Sequence, residues 1–137
     1  MENDLTRFLA AQERDYERAL TEIRRGRKSS HWIWYIFPQL KGLGSSSNAS
    51  FYGIEGLEEA SAYLRHPVLG PRLIEISRAL LAHAGKTATG IMGSPDDLKL
   101  RSCMTLFARV PGADPVFSRV LTQFFDGKKD ERTLSML

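Results

Sequence analysis

Residues 4–26 read DLTRFLAAQERDYERALTEIRRG, and this stretch decides the fold class. Its apolar and small side chains recur at helical spacing, at Leu5, Phe8, Leu9, Tyr16, Ala19, Leu20 and Ile23. A repeat of this period predicts an amphipathic helix, with Asn3 or Asp4 as its N-cap and Gly26 as its C-terminal stop. Such a helix needs other elements against which to bury one face.

The segments that follow carry the same kind of signal. Start and stop residues predict helices over 54–66, 70–84, 95–110 and 115–127, and a last turn or two over 130–137. Residues 31–37 are aromatic and β-branched, which favours a strand by propensity, but they lack polar alternation and a partner strand. We therefore predict a short buried helix there, capped by Ser29 or Ser30 and ended by Pro38.

These elements predict an all-α fold, a single compact multi-helix domain over residues 1–137 with about six helices. Residues 38–53 are predicted to be a long Gly/Ser loop, and the aromatic residues at its ends indicate that the loop is ordered. The chain has 137 residues, of which 42% are hydrophobic, and this is enough for one core.

Cysteine usage and hydropathy bear on the compartment. Cys103 is the only cysteine, which excludes an intrachain disulfide and fits a reducing compartment. We find no secretory signal pattern and no apolar run of the roughly 20 residues that a membrane span needs. The sequence therefore predicts a soluble, cytoplasmic protein without a membrane partner.

The net charge is +3, from 19 basic and 16 acidic residues, and it is spread thinly except for one cluster. That cluster consists of Arg24, Arg25, Arg27 and Lys28. Cations at this place stabilise the C-terminus of the first helix, and we favour that role over contacts with nucleic acid phosphates. We therefore do not expect nucleic acid as a partner, and the remaining sequence shows no second basic stripe.

The candidate site lies in residues 31–53, where both tryptophans precede a loop rich in glycine and serine. Loop N–H groups and hydroxyls can hold an anion, and aromatic rings can stack on a ring attached to that anion. We predict a pocket between residues 31–37, 38–53 and 66–72 that binds an anionic, nucleotide-like small molecule. The predicted ligand-binding residues are Trp34, Tyr35, Gln39, Lys41, Ser45, Tyr52 and Arg72.

The sequence contains no diagnostic catalytic motif. The loop at 41–48 lacks the Gly-Lys-Ser/Thr ending of a Walker loop and the glycine spacing of a dinucleotide fingerprint. His31 is the candidate acid or base if a reaction occurs, although a structural role at a helix start is favoured. Asp96 and Asp97 have the side chains that hold Mg²⁺ in some nucleases, but they fit a helix start better. The three histidines are not spaced as metal ligands, so we predict no metal and no other cofactor.

The alternative hypothesis is a protein–protein interaction module. In that case the same aromatic patch in residues 31–53 binds a partner protein or forms a homodimer, since tryptophan and tyrosine often anchor interfaces. A dimer that dissociates on Trp34→Ala would favour this alternative over a small-molecule site.

Several stretches resemble a known family. They are Arg7-Phe8 with Ala11-Gln12, Ser30–Leu40 with Gly42–Ser45, Tyr63–Leu73, Gly93–Lys99 with Ser102, Met104–Phe107, and Asp126-Gly127 with Asp130 and Thr133-Leu134. On these residues the chain resembles the uncharacterised helical family of small bacterial and fungal proteins sometimes labelled "calpastatin". The resemblance implies an all-α fold and no established activity. True calpain inhibitors of that name are disordered, whereas two tryptophans and seven phenylalanines support a folded core, so we exclude a protease-inhibitor function.

Overall fold

Helices make up the fold of residues 4–137, the part of the chain that this computed structural model describes. In chain order they are α1 (Thr6–Arg25), α2 (Ile33–Ile36), α3 (Ser47–Phe51), α4 (Leu57–Arg65), α5 (Leu69–Leu81), α6 (Ala88–Met92), α7 (Asp96–Ala108), α8 (Val116–Phe125) and α9 (Glu131–Met136). The all-α class is confirmed. The expected number of about six helices is wrong, because the described residues form nine.

The first helix follows the sequence prediction closely. α1 begins at Thr6, whose N–H donates to Asp4 Oδ1 at 2.9 Å. Leu5 is the N-cap residue of α1, so the predicted cap at Asp4 is one residue too early, and Asn3, the other predicted cap, lies outside the described residues. α1 ends at Arg25, and Gly26 follows in the left-handed conformation with φ +82°. The predicted glycine stop is confirmed, because a residue without a Cβ adopts this conformation at little cost.

α7 is the central helix of the domain. It packs against α2, α4, α6, α8 and α9, and every residue from 102 to 107 is buried. The second half of α7 is therefore in the middle of the core, while residues 96–99 and 101 remain partly exposed. Cys103 lies in this run, and burial raises the pKa of its thiol. Pro95, rather than the predicted Ser94, occupies the N-cap position of α7.

α5 connects the first helix to the rest of the domain, since it packs against α1, α4 and α8. It begins at Leu69 and ends at Leu81, one residue before the predicted start and three before the predicted end. Gly70 lies in its first turn, where an added Cβ would be 2.1 Å from the carbonyl oxygen of Leu64. Only glycine allows α4 and α5 to approach so closely at this point.

The predicted Gly/Ser loop is ordered, as expected, but it is not loop throughout. The N–H of Lys41 donates to Ile54 O, and the N–H of Ile54 donates to Gln39 O, both at 2.9 Å. These two hydrogen bonds close the ends of the segment against each other. Inside it the Ser46 side chain accepts from the N–H of Ala49 at 3.1 Å and caps α3, which, like α6, was not predicted from the sequence.

The serines expected to cap α2 have a different role. The N–H groups of Ser29 and Ser30 and the Ser30 hydroxyl all donate to the Glu22 carboxylate, and Trp32 is the residue at the N-cap of α2. A carboxylate accepts stronger hydrogen bonds than a neutral carbonyl or hydroxyl. The serine donors therefore hold α1 to the α2 segment, and the prediction of a serine cap is wrong.

The core is one cluster of apolar side chains. Its largest fully buried members include Trp32, Tyr63, Phe8, Phe37, Phe107 and Phe117. These side chains come from α1, α4, α7 and α8 and from the residues on either side of α2, so the large aromatic side chains pack between helices. Among residues 4–137, none of the helices combines the length and the hydropathy needed to cross a bilayer.

Candidate functional site

One cleft combines side chains of α7 with residues just before α3 and around the start of α9. It has a volume of about 250 Å³. Its lining residues are basic (Lys99, Arg101, Arg132), apolar (Leu43, Pro95, Leu98) and small or polar (Gln39, Gly44, Ser102, Asp130). We call it the basic cleft.

Lys99 links the basic cleft to the aromatic segment. Its ammonium lies 5.3 Å from the centre of the Trp34 ring and 3.4 Å from Asp96 Oδ1. The side chain is 26% exposed, so the charge is partly shielded from water and still accessible from the cleft. A cation over an indole face is attracted by the ring quadrupole, which fixes the position of the ammonium.

Two arginines supply the other positive charges. Arg101 Nη2 is 3.9 Å from Asp130 Oδ1, and the buried Nε of Arg101 has no hydrogen-bond partner within residues 4–137. Arg132 is exposed, and its Nη1 donates to Leu43 O at 3.4 Å. Both guanidiniums retain donors that an incoming anion can use, because each has five N–H groups.

Asp130 is the single carboxylate in the lining of the basic cleft. Its Oδ2 lies 3.1 Å from Ser102 Oγ and 2.5 Å from Thr133 Oγ1, and it accepts from the N–H of Thr133 at 3.1 Å. The N–H of Asp130 in turn donates to Thr105 Oγ1 at 2.9 Å. These bonds fix α9 to α7 and occupy the carboxylate, so the basic side chains outnumber the acids available to neutralise them.

Gly44 brings backbone to the edge of the cleft. A Cβ at this position would lie 2.9 Å from the Ala49 Cβ and 3.6 Å from Gln39 Nε2. Because Gly44 has no side chain, the backbone at this position can lie against α3 and close to the Gln39 amide.

A second, larger cleft of about 590 Å³ adjoins the basic cleft and shares Arg101, Asp130 and Arg132 with it. Its other lining residues are Gly127, Lys128, Lys129, Glu131 and Leu134. We call it the outer groove. The two clefts together form the second basic stripe that the sequence analysis did not expect.

The seven predicted binding residues are not gathered in one place. Gln39 lines the basic cleft, Trp34 lies beneath Lys99 at its edge, and Ser45 is exposed next to Gly44. Lys41 forms an ion pair with Glu55 at 3.1 Å between two exposed side chains.

Tyr35 and Arg72 belong instead to a buried polar network around Gln12, a residue that the sequence analysis did not single out. Gln12 Nε2 donates to Tyr35 O and to the Tyr63 hydroxyl, both at 2.9 Å, and Arg72 Nη1 lies 3.4 Å from Gln12 Oε1. Burial raises the pKa of the Tyr63 hydroxyl. A network enclosed in this way fixes α1, α2, α4 and α5 relative to one another.

The Tyr35 hydroxyl donates to the Asp15 carboxylate, and the Tyr35 ring lies 5.1 Å from that of Tyr52. Burial, and then the bond to Asp15, raises the pKa of Tyr35. His31 is exposed just before α2, and its carbonyl oxygen is 3.4 Å from the Tyr35 hydroxyl. Tyr35 and Tyr52 thus pack against each other, and Tyr35 also binds Asp15. Neither tyrosine lines the basic cleft.

The basic cluster at the end of α1 is not a continuous cationic surface. Lys28 is 6% exposed, and its ammonium is 2.7 Å from Asp96 Oδ2 and 2.6 Å from Ser30 O. Arg24 lies 4.0 Å from Glu75 Oε2. These contacts neutralise part of the cluster inside the protein itself.

A larger cleft, of about 720 Å³, runs beside α5. Size alone would favour it as a ligand site. Its charges are already paired, however, since Arg78 Nη2 lies 3.1 Å from Asp114 Oδ2 and Arg24 faces Glu75. In the basic cleft Lys99 and Arg101 also lie near carboxylates, but Asp96 is shared with Lys28 and three cations face one lining carboxylate. The basic cleft is therefore smaller but has excess positive charge, and we give the charge more weight.

The sequence analysis did not choose Lys99, Arg101, Ser102, Asp130 or Arg132 as site residues. The signal that was available is the charge run at 128–132, KKDER, which has three cations in five residues. No local pattern could have paired that run with α7, because the two stretches meet only in the folded chain.

Comparison with known proteins gives no activity. The search of curated proteins found no match. A crystal structure of the conserved hypothetical protein Rv1873 from Mycobacterium tuberculosis has a TM-score of 0.96 with 49% sequence identity, covering 98% of this chain and 96% of that one. The family model described as "Protein of unknown function (DUF1810)" matches residues 2–137. This chain therefore belongs to the DUF1810 family, an uncharacterised family, as the sequence resemblance had implied.

Proposed function

We propose that this protein binds a small anionic molecule, bearing a phosphate or carboxylate group, in the basic cleft. The observation that carries the proposal is the charge balance: Lys99, Arg101 and Arg132 line the cleft with a single carboxylate, which is already hydrogen-bonded. A concave surface with excess positive charge raises the local concentration of anions and holds them by charge-assisted hydrogen bonds.

The apolar lining supports a ligand with an organic part. Leu43, Pro95 and Leu98 line the same cleft, and Leu98 is 51% exposed. Exposed apolar surface beside fixed charges is the usual composition of a small-molecule site. Trp34 is half-buried at the edge of the cleft, so it remains a candidate contact for a ring on the ligand.

Thermal unfolding with inorganic phosphate and with a nucleoside monophosphate tests the proposal. A ligand present at about 100 times its Kd stabilises the protein by about 2.7 kcal/mol, which raises Tm by several degrees in a domain of this size. We expect this shift in wild type and in Arg109→Gln, an exposed arginine just after the end of α7. In Lys99→Gln the shift should largely disappear. An equal shift in Lys99→Gln and wild type, or no shift with either probe, would contradict the proposal.

The second candidate function is the protein–protein interface or homodimer through the aromatic segment. It is favoured by Phe51, which is 60% exposed and packs edge-on against the Tyr52 ring at 4.8 Å. Light scattering after size exclusion tests it: a dimer that becomes a monomer in Phe51→Ser or Trp34→Ala would support it. A wild-type monomer would remove the homodimer and leave only a different partner.

We also propose the cytoplasm as the compartment. Cys103 is the only cysteine and is fully buried inside α7, where no second thiol can reach it to form a disulfide. Such a chain gains nothing from an oxidising compartment.

A further inference from the structure

Building on the proposed function, we infer that the ligand of the basic cleft carries two anionic groups, one held in the basic cleft and the other in the outer groove. A diphosphate is the simplest molecule of this kind. The inference concerns the class of the ligand, and it depends on the way in which the two clefts are joined.

The joint between the clefts is made of charged side chains. Arg101, Asp130 and Arg132 line both clefts, so charged side chains stand between them. A guanidinium placed between two anionic groups can donate to both of them, because its N–H groups point in several directions in one plane. Arg101 and Arg132 are therefore in the position to bridge such a ligand.

The outer groove adds its own positive charge. Lys128 and Lys129 are exposed, and neither ammonium forms an ion pair within the part of the chain that the structure describes. Glu131 is the one carboxylate that this groove adds to Asp130. The groove thus has free cations where the basic cleft has partly shielded ones.

The turn that carries these lysines has a defined shape. Asp126 and Gly127 both have positive φ, +54° and +75°, and the N–H of Lys128 donates to Phe125 O at 2.9 Å. This turn ends α8 and directs the chain into α9, whose position is fixed by the bonds of Asp130 to α7. The two lysines are therefore attached to a constrained backbone beside Arg101.

The volumes of the two clefts also favour a ligand with two anionic groups. The basic cleft alone, at about 250 Å³, is below the roughly 300–1,000 Å³ of pockets that enclose an organic ligand. Alone it holds one anionic group and only the adjoining portion of an organic ligand. Extended by the outer groove of about 590 Å³, it reaches the size that a ligand with two such groups requires.

Calorimetry with orthophosphate and pyrophosphate, on the full chain at an ionic strength of about 0.15 M, tests the inference. We expect wild type to bind pyrophosphate at least about tenfold more tightly than orthophosphate. Lys99→Gln should weaken both ligands. The double variant Lys128→Gln/Lys129→Gln should weaken pyrophosphate about fivefold or more and change orthophosphate less than about twofold. Arg109→Gln should change neither.

The outcomes separate the two claims. If orthophosphate binds and the double variant leaves pyrophosphate unchanged, the outer groove takes no part and this inference is overturned while the proposed function stands. If neither probe binds, the proposed function fails and the inference fails with it. If Arg109→Gln weakens pyrophosphate as much as the double variant does, the preference reflects net charge alone and the inference is overturned.

Discussion

Glu22 is a buried carboxylate held by hydrogen bonds. The residue is 6% exposed and accepts from the N–H groups of Ser29 (2.7 Å) and Ser30 (3.0 Å), from the Ser30 hydroxyl (2.6 Å) and from Trp32 Nε1 (2.9 Å). Burial alone would raise the pKa of this carboxyl, but the bonds from Ser30, Ser29 and Trp32 outweigh it and lower the pKa to about 2. The ionised form is therefore part of the folded structure.

We expect the free energy of unfolding to fall as the pH drops from 4.5 to about 2. In the unfolded chain Glu22 takes up its proton near pH 4.5, whereas the folded carboxyl stays ionised down to about pH 2. The unfolded state binds more protons than the folded state across this window. The free energy of unfolding therefore falls as the pH drops, by up to about 3 kcal/mol. Urea unfolding of wild type and Glu22→Gln at several pH values measures this loss, because the variant lacks the group.

Glu17 provides the matched control, since it is an exposed glutamate on the same helix. Glu17→Gln should keep the wild-type dependence of stability on pH. If Glu22→Gln keeps it as well, other carboxyls cause the loss and the role given to Glu22 is wrong.

The same residues show what sequence could and could not predict at this scale. Ser29 and Ser30 were predicted to cap α2, but they donate to the Glu22 carboxylate instead. The partner itself lies seven and eight residues earlier, beyond the reach of a capping rule. Trp32 is 1% exposed and Trp34 is half-buried, a difference that depends on the orientation of a four-residue helix and not on residue type.

At the scale of elements, the contact between α4 and α5 depends on one glycine. We expect Gly70→Ala to destabilise the protein by about 3 kcal/mol or more, since its Cβ would lie 2.1 Å from a backbone oxygen, that of Leu64. Overpacking of flexible side chains typically costs about 1–3 kcal/mol, and a backbone atom yields less easily than a side chain. Chemical denaturation of the purified variant gives the value.

The control for this substitution is Gly85→Ala, at a site where an added Cβ would meet nothing within 4 Å. It should leave stability unchanged or raise it slightly, because alanine restricts the unfolded chain more than glycine does. A loss of stability at Gly85 equal to that at Gly70 would mean that the effect comes from glycine propensity and not from the α4–α5 contact.

The long helices were predicted from the sequence, and of the short ones α2 and α9 were predicted whereas α3 and α6 were not. α1, α4, α5, α7 and α8 have enough turns for an apolar stripe, and each was predicted to within a few residues. α3 and α6 have five residues each, too few for a stripe to be visible. Their caps were present in the sequence, since Ser46 and Thr87 each accept from an N–H three residues later, but a lone serine or threonine is too common to predict a helix.

At the scale of the whole molecule, a buried ion pair joins the segment after α1 to the start of α7. Lys28 Nζ and Asp96 Oδ2 are 2.7 Å apart, and the ammonium also lies 5.0 Å from the centre of the Trp32 ring. Removal of the Asp96 charge leaves the buried Lys28 ammonium without its carboxylate, which costs about 3–5 kcal/mol. Removal of Lys28 costs less, because Asp96 is partly exposed and keeps Lys99 at 3.4 Å. The pair therefore specifies how two distant parts of the chain meet.

We expect Lys28→Met and Asp96→Asn to be strongly non-additive. Asp96→Asn should lose about 3 kcal/mol of stability and Lys28→Met less, because Asp96 keeps Lys99 as a partner. The double variant should lose clearly less than the sum, with a coupling energy of about 1.5 kcal/mol. Denaturation of all four proteins closes the cycle. Asp97→Asn, at the neighbouring carboxylate that accepts from Thr89 instead, should show no coupling with Lys28→Met. Additivity in the first cycle would contradict the pairing.

The candidate site is a property of the whole molecule, and this is why sequence predicted so little of it. Residues 31–53 were predicted to contain the site, and they contribute Gln39 and Gly44 to the basic cleft. The cations come from α7 and from the α9 region, two stretches that the sequence treats as unrelated. Only the packing of α9 on α7, through Asp130, brings them together.

Ionic strength distinguishes local contacts from the field of the whole chain, whose net charge is +3. At about 0.01 M salt the Debye length is about 30 Å, so a remote cation such as Arg109 contributes to the potential at the cleft. At about 0.15 M it is about 8 Å, and that contribution is screened.

We expect Arg109→Gln to weaken orthophosphate binding slightly at the lower salt and not at the higher one. Lys99→Gln should weaken it at both, because this ammonium would contact the ligand. Calorimetry at the two salt concentrations measures both effects, and a Lys99→Gln effect that disappears along with that of Arg109→Gln would mean that the cleft attracts anions without a defined contact.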